Sequence, residues 1–224
     1  AKASQSGVDP AMLADLESAV AAADLDYLSG EIPKAIDQSL EGVERVSKIV
    51  RAMKDFSHPD ESEKTATDIS RAVETTVTVS RNEWKFVAEV ETDLEPNLPL
   101  VPCYAGQINQ VFLNLIVNAA QAIAAKVGSG GEKGIIRIVT RRAGRDVEIR
   151  VSDTGTGIPE AVRPRMFEPF YTTKEVGKGT GQGLAMSRQI VVKGHGGTIT
   201  FETETGKGTT FIVRLPGAEE KAEG

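Results

Sequence analysis

The sequence predicts an α+β fold: a mixed, largely antiparallel sheet with helices on one face, preceded by a helical hairpin or bundle segment. Three observations carry this. Two pairs of β-rich runs, Ile135 to Thr140 with Val147 to Val151 and Thr198 to Glu202 with Thr209 to Leu215, are each joined by a short turn. A long run from Tyr104 to Val127 carries apolar residues at helical spacing. Before residue 58 the apolar spacing is helical throughout.

The elements follow in chain order. Asp9-Pro10 is a helix start, with the carboxylate as N-cap and proline where its missing N–H costs nothing, and Met12, Leu13, Leu16 and Val20 give that helix one apolar side. After Gly30 and Pro33 a second run carries Ile36, Leu40, Val43, Val46, Ile49, Val50, Met53 and Phe56, which predicts one helix of about six turns ending at Ser57-His58-Pro59. Its stripe has two possible partners: the chain's own C-terminal part, or a second copy in a self-associating bundle. The texture then changes to alternating helix and strand signals, which gives three parts: a helical segment over 1–58, an α/β domain over 59–216 and a tail over 217–224, expected to fray. Within the domain, Asp68 opens a helix to about Trp84 and Phe86, Ala88 and Val90 alternate as a strand. Ala143-Gly144-Arg145-Asp146 and Glu204 to Gly208 read as hairpin turns, with Gly183 to Lys193 helical between the hairpins.

Composition narrows the function. The 224 residues are 40% hydrophobic, 26% charged and 5% aromatic, an ordinary globular balance. Lys and Arg number 26 against 32 Asp and Glu, a formal charge of -6, which argues against nucleic acid and leaves a phosphate-bearing partner to be gripped locally. No uninterrupted apolar run approaches the roughly 20 residues of a membrane span. Cys103 has no internal disulfide partner and reads as a small buried hydrophobe, in keeping with a reducing compartment. His58 and His195 lack metal-ligand spacing.

Three motifs carry chemistry. Gln110, Asn114 and Asn118 stand four apart and share one helix face, while Val111, Phe112, Leu115, Ile116, Ala119 and Ile123 occupy the other. The amide stripe is either a solvated face or a ligand face, and an Asn oxygen is a hard neutral ligand that suits Mg²⁺ beside phosphate oxygens. Asp153-Thr-Gly155-Thr-Gly157-Ile158-Pro159 follows a strand ending; it is a structural turn, or it places a carboxylate to accept from an exocyclic amine such as adenine N6 while the glycines admit a flat ligand. Gly177-Lys178-Gly179-Thr180-Gly181-Gln182-Gly183-Leu184 leads into a helix, so backbone N–H groups there make an anion site, with Lys174 and Lys178 adding charge; a ligand-free flexible loop is the alternative. The aromatics of Phe167-Glu-Pro-Phe170-Tyr-Thr-Thr-Lys174 are placed to anchor one end of that loop, making Pro159 to Gln182 a lid.

In their order along the chain, the amide helix, Asp153-x-Gly155-x-Gly157, Phe167-x-Pro-Phe170, Gly179-x-Gly181-x-Gly183 and Gly206-Lys-Gly208-Thr-Thr-Phe211 resemble the N, G1, F, G2 and G3 boxes of two-component sensor histidine kinases, over Gln107 to Pro216. Asn118-Ala-Ala-Gln-Ala and Phe170-Tyr-Thr-Thr-Lys174 resemble most the nitrogen-regulatory sensor branch. The resemblance implies a Bergerat-type α/β sandwich with ATP and Mg²⁺ as cofactors. Asn118, helped by Asn114 and beside Gln110, would hold the metal; Asp153, with Gly155, Gly157 and Ile158, would read adenine. Gly179, Gly181 and Gly183, with Lys174, Lys178, Thr180 and Leu184, would cradle the phosphates, and Thr209 or Thr210 would line the adenine end. Ser39 to Ser57 is similar to the second helix of the family's dimerisation and phosphotransfer domain.

Two departures stand out. The family's phosphoacceptor His, followed by Glu or Asp and then Pro, has no counterpart here; His58 precedes a helix-ending proline and is a poor acceptor, and His195, within Gly194-His-Gly-Gly, reads as a turn residue. Gln121-Ala122 replaces a basic residue and Tyr common in relatives. The resemblance therefore implies the catalytic part of a kinase that passes the γ-phosphoryl to a histidine outside this chain. Its implied partners are a response-regulator receiver domain and a second copy through the N-terminal helices; its implied setting is the cytoplasm, under a soluble or membrane-anchored parent. An anti-sigma-type serine kinase or ATPase of the same fold, and a nucleotide-responsive interaction module without turnover, are the alternatives.

Overall fold

A computed structural model of the chain describes residues 10–23, 27, 29–40, 43, 63–128, 131–172 and 181–218. The chain divides into two compact units, Ala1–Lys48 and Ile49–Gly224.

In the first unit, α1 spans Pro10–Ala23, with proline at its first position as expected. Helix α2 covers residues 29–40, so it opens before Gly30 and Pro33 rather than after them. Proline is tolerated there because the first-turn N–H groups have no intrahelical partner anyway. The continuation to Phe56, the boundary at His58 to Ser62 and Asp9 lie outside the described residues. Ile32, Ile36, Leu40 and Val43 line an apolar groove along α2 and are 52%, 53%, 59% and 67% exposed.

In the second unit, β1 (Thr65–Thr67) pairs antiparallel with β3 (Val101–Cys103) in a small sheet the sequence did not signal. Asp68 caps α3 (Ile69–Val79), its carboxylate accepting from the Arg71 N–H at 3.1 Å. The expected single helix to Trp84 instead breaks at Ser80 into α4 (Arg81–Trp84). Phe86 lies before β2 (Ala88–Leu94) and is 77% exposed, so the strand alternation begins at Ala88.

The main sheet has the order β2-β4-β5-β7-β6, with β4 Gly134–Ala143, β5 Asp146–Asp153, β6 Thr198–Glu204 and β7 Gly208–Leu215. All neighbours are antiparallel except β2 and β4, whose parallel pairing requires the long connection that carries α5 (Ala105–Val127). Both predicted hairpins are present; in the first, Ala143 pairs with Asp146 and Gly144 supplies the positive φ of 67°.

The odd-numbered residues of β5 and β7, from Val147 to Val151 and from Phe211 to Leu215, face the helices and are buried. The other face is a charged lattice: Arg137 pairs with Glu91 at 2.6 Å, Arg141 with Asp93, and Glu148 with both Arg150 (2.7 Å) and Arg214 (2.6 Å). The Arg150 and Arg214 guanidiniums hold the Glu148 carboxyl below its ordinary range. One face is thus solvated and the other packed, as the α+β prediction requires.

Helix α5 is the hub of the core. Ile108, Val111, Leu115, Ile116 and Ile123 are fully buried and Phe112 is 1% exposed, each burial worth about 1.5–3 kcal/mol. By length and mean hydropathy α5 passes as a membrane span, although no uninterrupted apolar run in it is that long, but its apolar side is occupied by this core. Cys103 is fully buried beside it. The chain past Pro216 does not fray at once, since the Ala218 N–H donates to the Leu100 carbonyl at 3.2 Å.

Candidate functional site

The amide stripe of α5 sets the ruler for the site. Gln110, Asn114 and Asn118 are all half-buried, between the core residues and solvent, and Ala122 continues the same face one turn further. At one end, the Asn114 side chain donates to the Gly183 carbonyl (3.1 Å) and to Ser187 Oγ (3.3 Å), while its own oxygen accepts from Gln110 Nε2 (3.0 Å). Asn114 therefore ties α6 (Gly183–Arg188) to α5, its N–H₂ group engaged by Gly183 and Ser187 and one lone pair of its oxygen by Gln110. At the other end, the Thr156 N–H donates to the Ala122 carbonyl (3.3 Å), and a Cβ on Gly155 would lie 2.6 Å from the Ala122 carbonyl carbon. Asn118 stands one turn from each anchor, in a span of about 12 Å from Asn114 to Ala122 at 1.5 Å per residue.

Asp153 ends β5 on the helix-facing side. Its carboxylate accepts the Gly155 N–H at 2.8 Å and faces Thr209, its cross-strand partner. Burial nonetheless pushes the carboxyl up to about 6, against the nearby Gly155 and Thr209 N–H groups and the Lys126 charge, which pull it down. Lys126, on the last turn of α5, donates to the Thr154 carbonyl at 2.8 Å and holds the same turn.

The glycines around Asp153 serve the chain's own close approaches. Gly157 has φ 67°, and a Cβ there would lie 2.3 Å from the Glu204 carbonyl oxygen; one on Gly208 (φ 137°) would meet the Asp153 carbonyl oxygen at 1.9 Å. The glycines after Asp153 were expected to serve a flat ligand as well as tight folding, and the approaches at Gly157 and Gly208 are those of backbone to backbone. Thr203 completes the turn: its hydroxyl accepts the Ile158 N–H (2.9 Å), donates to the Gly208 carbonyl (3.1 Å) and bonds Thr209 Oγ1 (3.0 Å).

Thr209 and Thr210 separate cleanly. Thr209 faces Asp153 and is buried, whereas Thr210 bonds Ser152 at 2.9 Å on the solvated sheet face, opposite Asp153.

Of the phosphate-loop candidates, Lys174, Lys178, Gly179 and Thr180 lie outside the described residues, as does Gly177. The two flanks of that segment meet: the Phe170 N–H donates to the Gly181 carbonyl at 3.0 Å, and both residues have positive φ, 64° each. The predicted aromatic anchor is divided. Phe167 packs on Phe201 (6.2 Å between ring centres) under Arg188, but the Phe170 ring is 71% exposed and only its backbone holds the loop. Leu184 and Ile158 are half-buried against the core.

His195 is not a loose turn residue. It caps the π-helical segment Gln189–Gly194, is buried, donates from Nδ1 to the Ile190 carbonyl (2.8 Å) and accepts the Tyr104 N–H at Nε2 (3.1 Å). Burial lowers its pKa, which keeps the ring neutral and the Nε2 lone pair available to Tyr104. His58 lies outside the described residues. Among the described residues, no three His, Cys, Asp or Glu side chains form a metal-ligand group.

Sequence reasoning missed the contact of Ala122 with the Gly155 turn, Lys126, Thr203 and the steric need for Gly208. Ala122 was available as the next step of the four-residue stripe; the others depend on strand pairing that no local pattern reports.

An acid at a strand end and an amide helix in line with a helix-opening glycine lie within the stretch that the family comparison covers. Residues 104–219 match the family of histidine kinase-, DNA gyrase B-, and HSP90-like ATPases. The chain belongs to that family. It is 32% identical to the sensor protein FixL of Bradyrhizobium diazoefficiens over 85% of the chain, and 30% identical to the sensor histidine kinase ZraS of Escherichia coli K12 over 84%. It spans 36% and 38% of the length of those two relatives. Among solved structures, the catalytic domain of the histidine kinase ThkA in a nucleotide-free form superposes with a TM-score of 0.59 at 28% identity, covering 69% of this chain and 96% of that one. The chain thus contains the ATP-binding catalytic region of a two-component sensor histidine kinase, with the Bergerat-type sandwich the motifs implied.

Proposed function

We propose that ATP lies along the amide face of α5, with its purine at Asp153 and its phosphates toward Gly181 and Gly183, and that this region delivers the γ-phosphoryl to a histidine elsewhere in a longer protein. One observation carries the reading: a half-buried carboxylate held by the Gly155 N–H and facing Thr209 at one end of a stripe whose other end is the Asn114 contact with the start of α6. Ionised Asp153 is a pure acceptor, which matches an exocyclic amine and repels phosphate.

The donor set suits a magnesium ion shared with phosphate oxygens. Asn118 supplies the amide oxygen, while Asn114 keeps Asn118's neighbours in place instead of binding the ion itself. Magnesium, when bound, neutralises triphosphate charge; the chain's residues bind and orient the nucleotide. His195, with both ring nitrogens engaged, is no acceptor, which supports transfer to an imidazole outside the described residues. The exposed α2 stripe is the surface through which two copies associate, and a response-regulator receiver domain is the onward partner.

Calorimetry with ATP and Mg²⁺ tests the site. Wild type should bind, and Asp153→Asn should lose at least tenfold in affinity; a wild type that ignores ATP, or an indifferent Asp153→Asn, refutes the site. Incubation with γ-labelled ATP tests the transfer: no label should stay on this chain, and acid-labile, alkali-stable label retained on it would overturn transfer to an outside histidine.

A further inference from the structure

We infer that Thr203, on β6, is a specificity-positioning residue that turns Thr209 into a second acceptor for the exocyclic amine of the purine. The inference rests on the proposed purine position at Asp153, and follows from counting protons.

A threonine hydroxyl carries one proton and two lone pairs. Thr203 spends its proton on the Gly208 carbonyl at 3.1 Å and one lone pair on the Ile158 N–H at 2.9 Å. When all three contacts are made at once, the remaining one, 3.0 Å to Thr209 Oγ1, runs the other way, with Thr209 donating to Thr203. Thr209 has no second hydroxyl proton to offer, so its Oγ1 presents only lone pairs.

Thr209 and Asp153 are cross-strand partners on the same sheet face. Two acceptors side by side match a group with two N–H protons, which adenine's 6-amine has. They repel a carbonyl such as guanine O6. Thr203 never touches the purine; it acts by fixing which way the Thr209 proton points, and the Ile158 and Gly208 bonds stop it from rotating.

The test compares ATP with purine ribonucleoside triphosphate, which lacks the 6-amine, by calorimetry in excess Mg²⁺ for wild type, Thr203→Val, Thr203→Ser and Thr209→Val. Wild type should prefer ATP. Thr203→Val should lose roughly fivefold to tenfold in ATP affinity, the worth of one hydrogen bond, while the amine-free analogue changes less than about twofold. Thr203→Ser should keep the wild-type preference. Thr209→Val, which removes the acceptor itself, should show the same selective loss and serves if Thr203→Val fails to fold. Equal losses for both nucleotides in either valine variant, or an ATP preference that survives them, overturn the inference while leaving the site intact. A wild type without any ATP preference removes the purine position at Asp153 on which it rests.

Discussion

Helices α2 and α5 are both built on apolar residues at helical spacing, yet they end in opposite environments. On α5, Ile108, Leu115 and Ile116 are fully buried, whereas on α2, Ile32, Ile36 and Leu40 are more than half exposed. The difference lies in the partner. Helix α5 lies on a sheet whose inward residues are themselves apolar, so each side chain leaves water in folding a single chain. The α2 stripe lies on no such sheet among the described residues and stays more than half exposed. Periodicity therefore reports that a face will be buried, and the rest of the structure decides by what and at what concentration.

The largest effect that can break this comparison is a matched pair of truncations. Leu115→Ala should cost about 2–5 kcal/mol in chemical denaturation, and Leu40→Ala less than about 0.5 kcal/mol in dilute solution. A large Leu40→Ala cost that grows with protein concentration would show the α2 stripe buried between copies; a large cost independent of concentration would place its cover within the chain.

Next in size is a pair of glycines in one hairpin. A Cβ at Gly208 would lie 1.9 Å from the Asp153 carbonyl oxygen, whereas Gly206, at φ 83°, has nothing within 4 Å. Gly206→Ala should cost about 1 kcal/mol of backbone strain, while Gly208→Ala should cost about 3 kcal/mol or more and abolish nucleotide binding. Equal costs would mean that the hairpin is not seated on Asp153.

Asp153 gives a smaller effect with a distinctive pH signature. Because the folded state raises its carboxyl to about 6 from an ordinary 3.8, protonation favours the folded state. The group's contribution to stability is therefore full below pH 4 and is lost as pH rises through 6, by roughly 2–3 kcal/mol. Asp153→Asn should remove that slope and melt no lower than wild type at pH 7, even though it loses ATP. Wild-type ATP affinity should weaken below pH 6, where the acceptor charge is neutralised. A melting curve for Asp153→Asn that still carries the slope would assign it to another group. Smallest of all, Glu91→Gln on the solvated sheet face should leave the melting temperature unchanged within error, since exposed pairs contribute little.

The sheet hairpins, the extent of α5 and the amide stripe were legible because each is a local pattern: a turn residue between alternating runs, or apolar and polar residues at a fixed step along one helix. The break at Ser80 and the small β1-β3 sheet were not, since the pairing of Thr65 with Cys103 links residues far apart in the chain. The candidate site divides the same way. Asp153, Asn118 and the glycine-rich segment announce themselves by residue type and order, and that order was enough to identify the family. The commitment of Asn114 to Gly183, the removal of Thr210 to the solvated face, the engagement of His195 by Tyr104 and the part of Thr203 follow from register across strands and helices.

The sequence alone determined which chemical groups are present, in what order, and on which face of each helix or strand they lie, because the periods of 3.6 and 2 residues are properties of the backbone. Which of those groups touch was decided only by tertiary structure. A hydrogen bond is made or lost within about half an ångström, and that distance is set by how β5, β7 and α5 pack, which no single segment encodes.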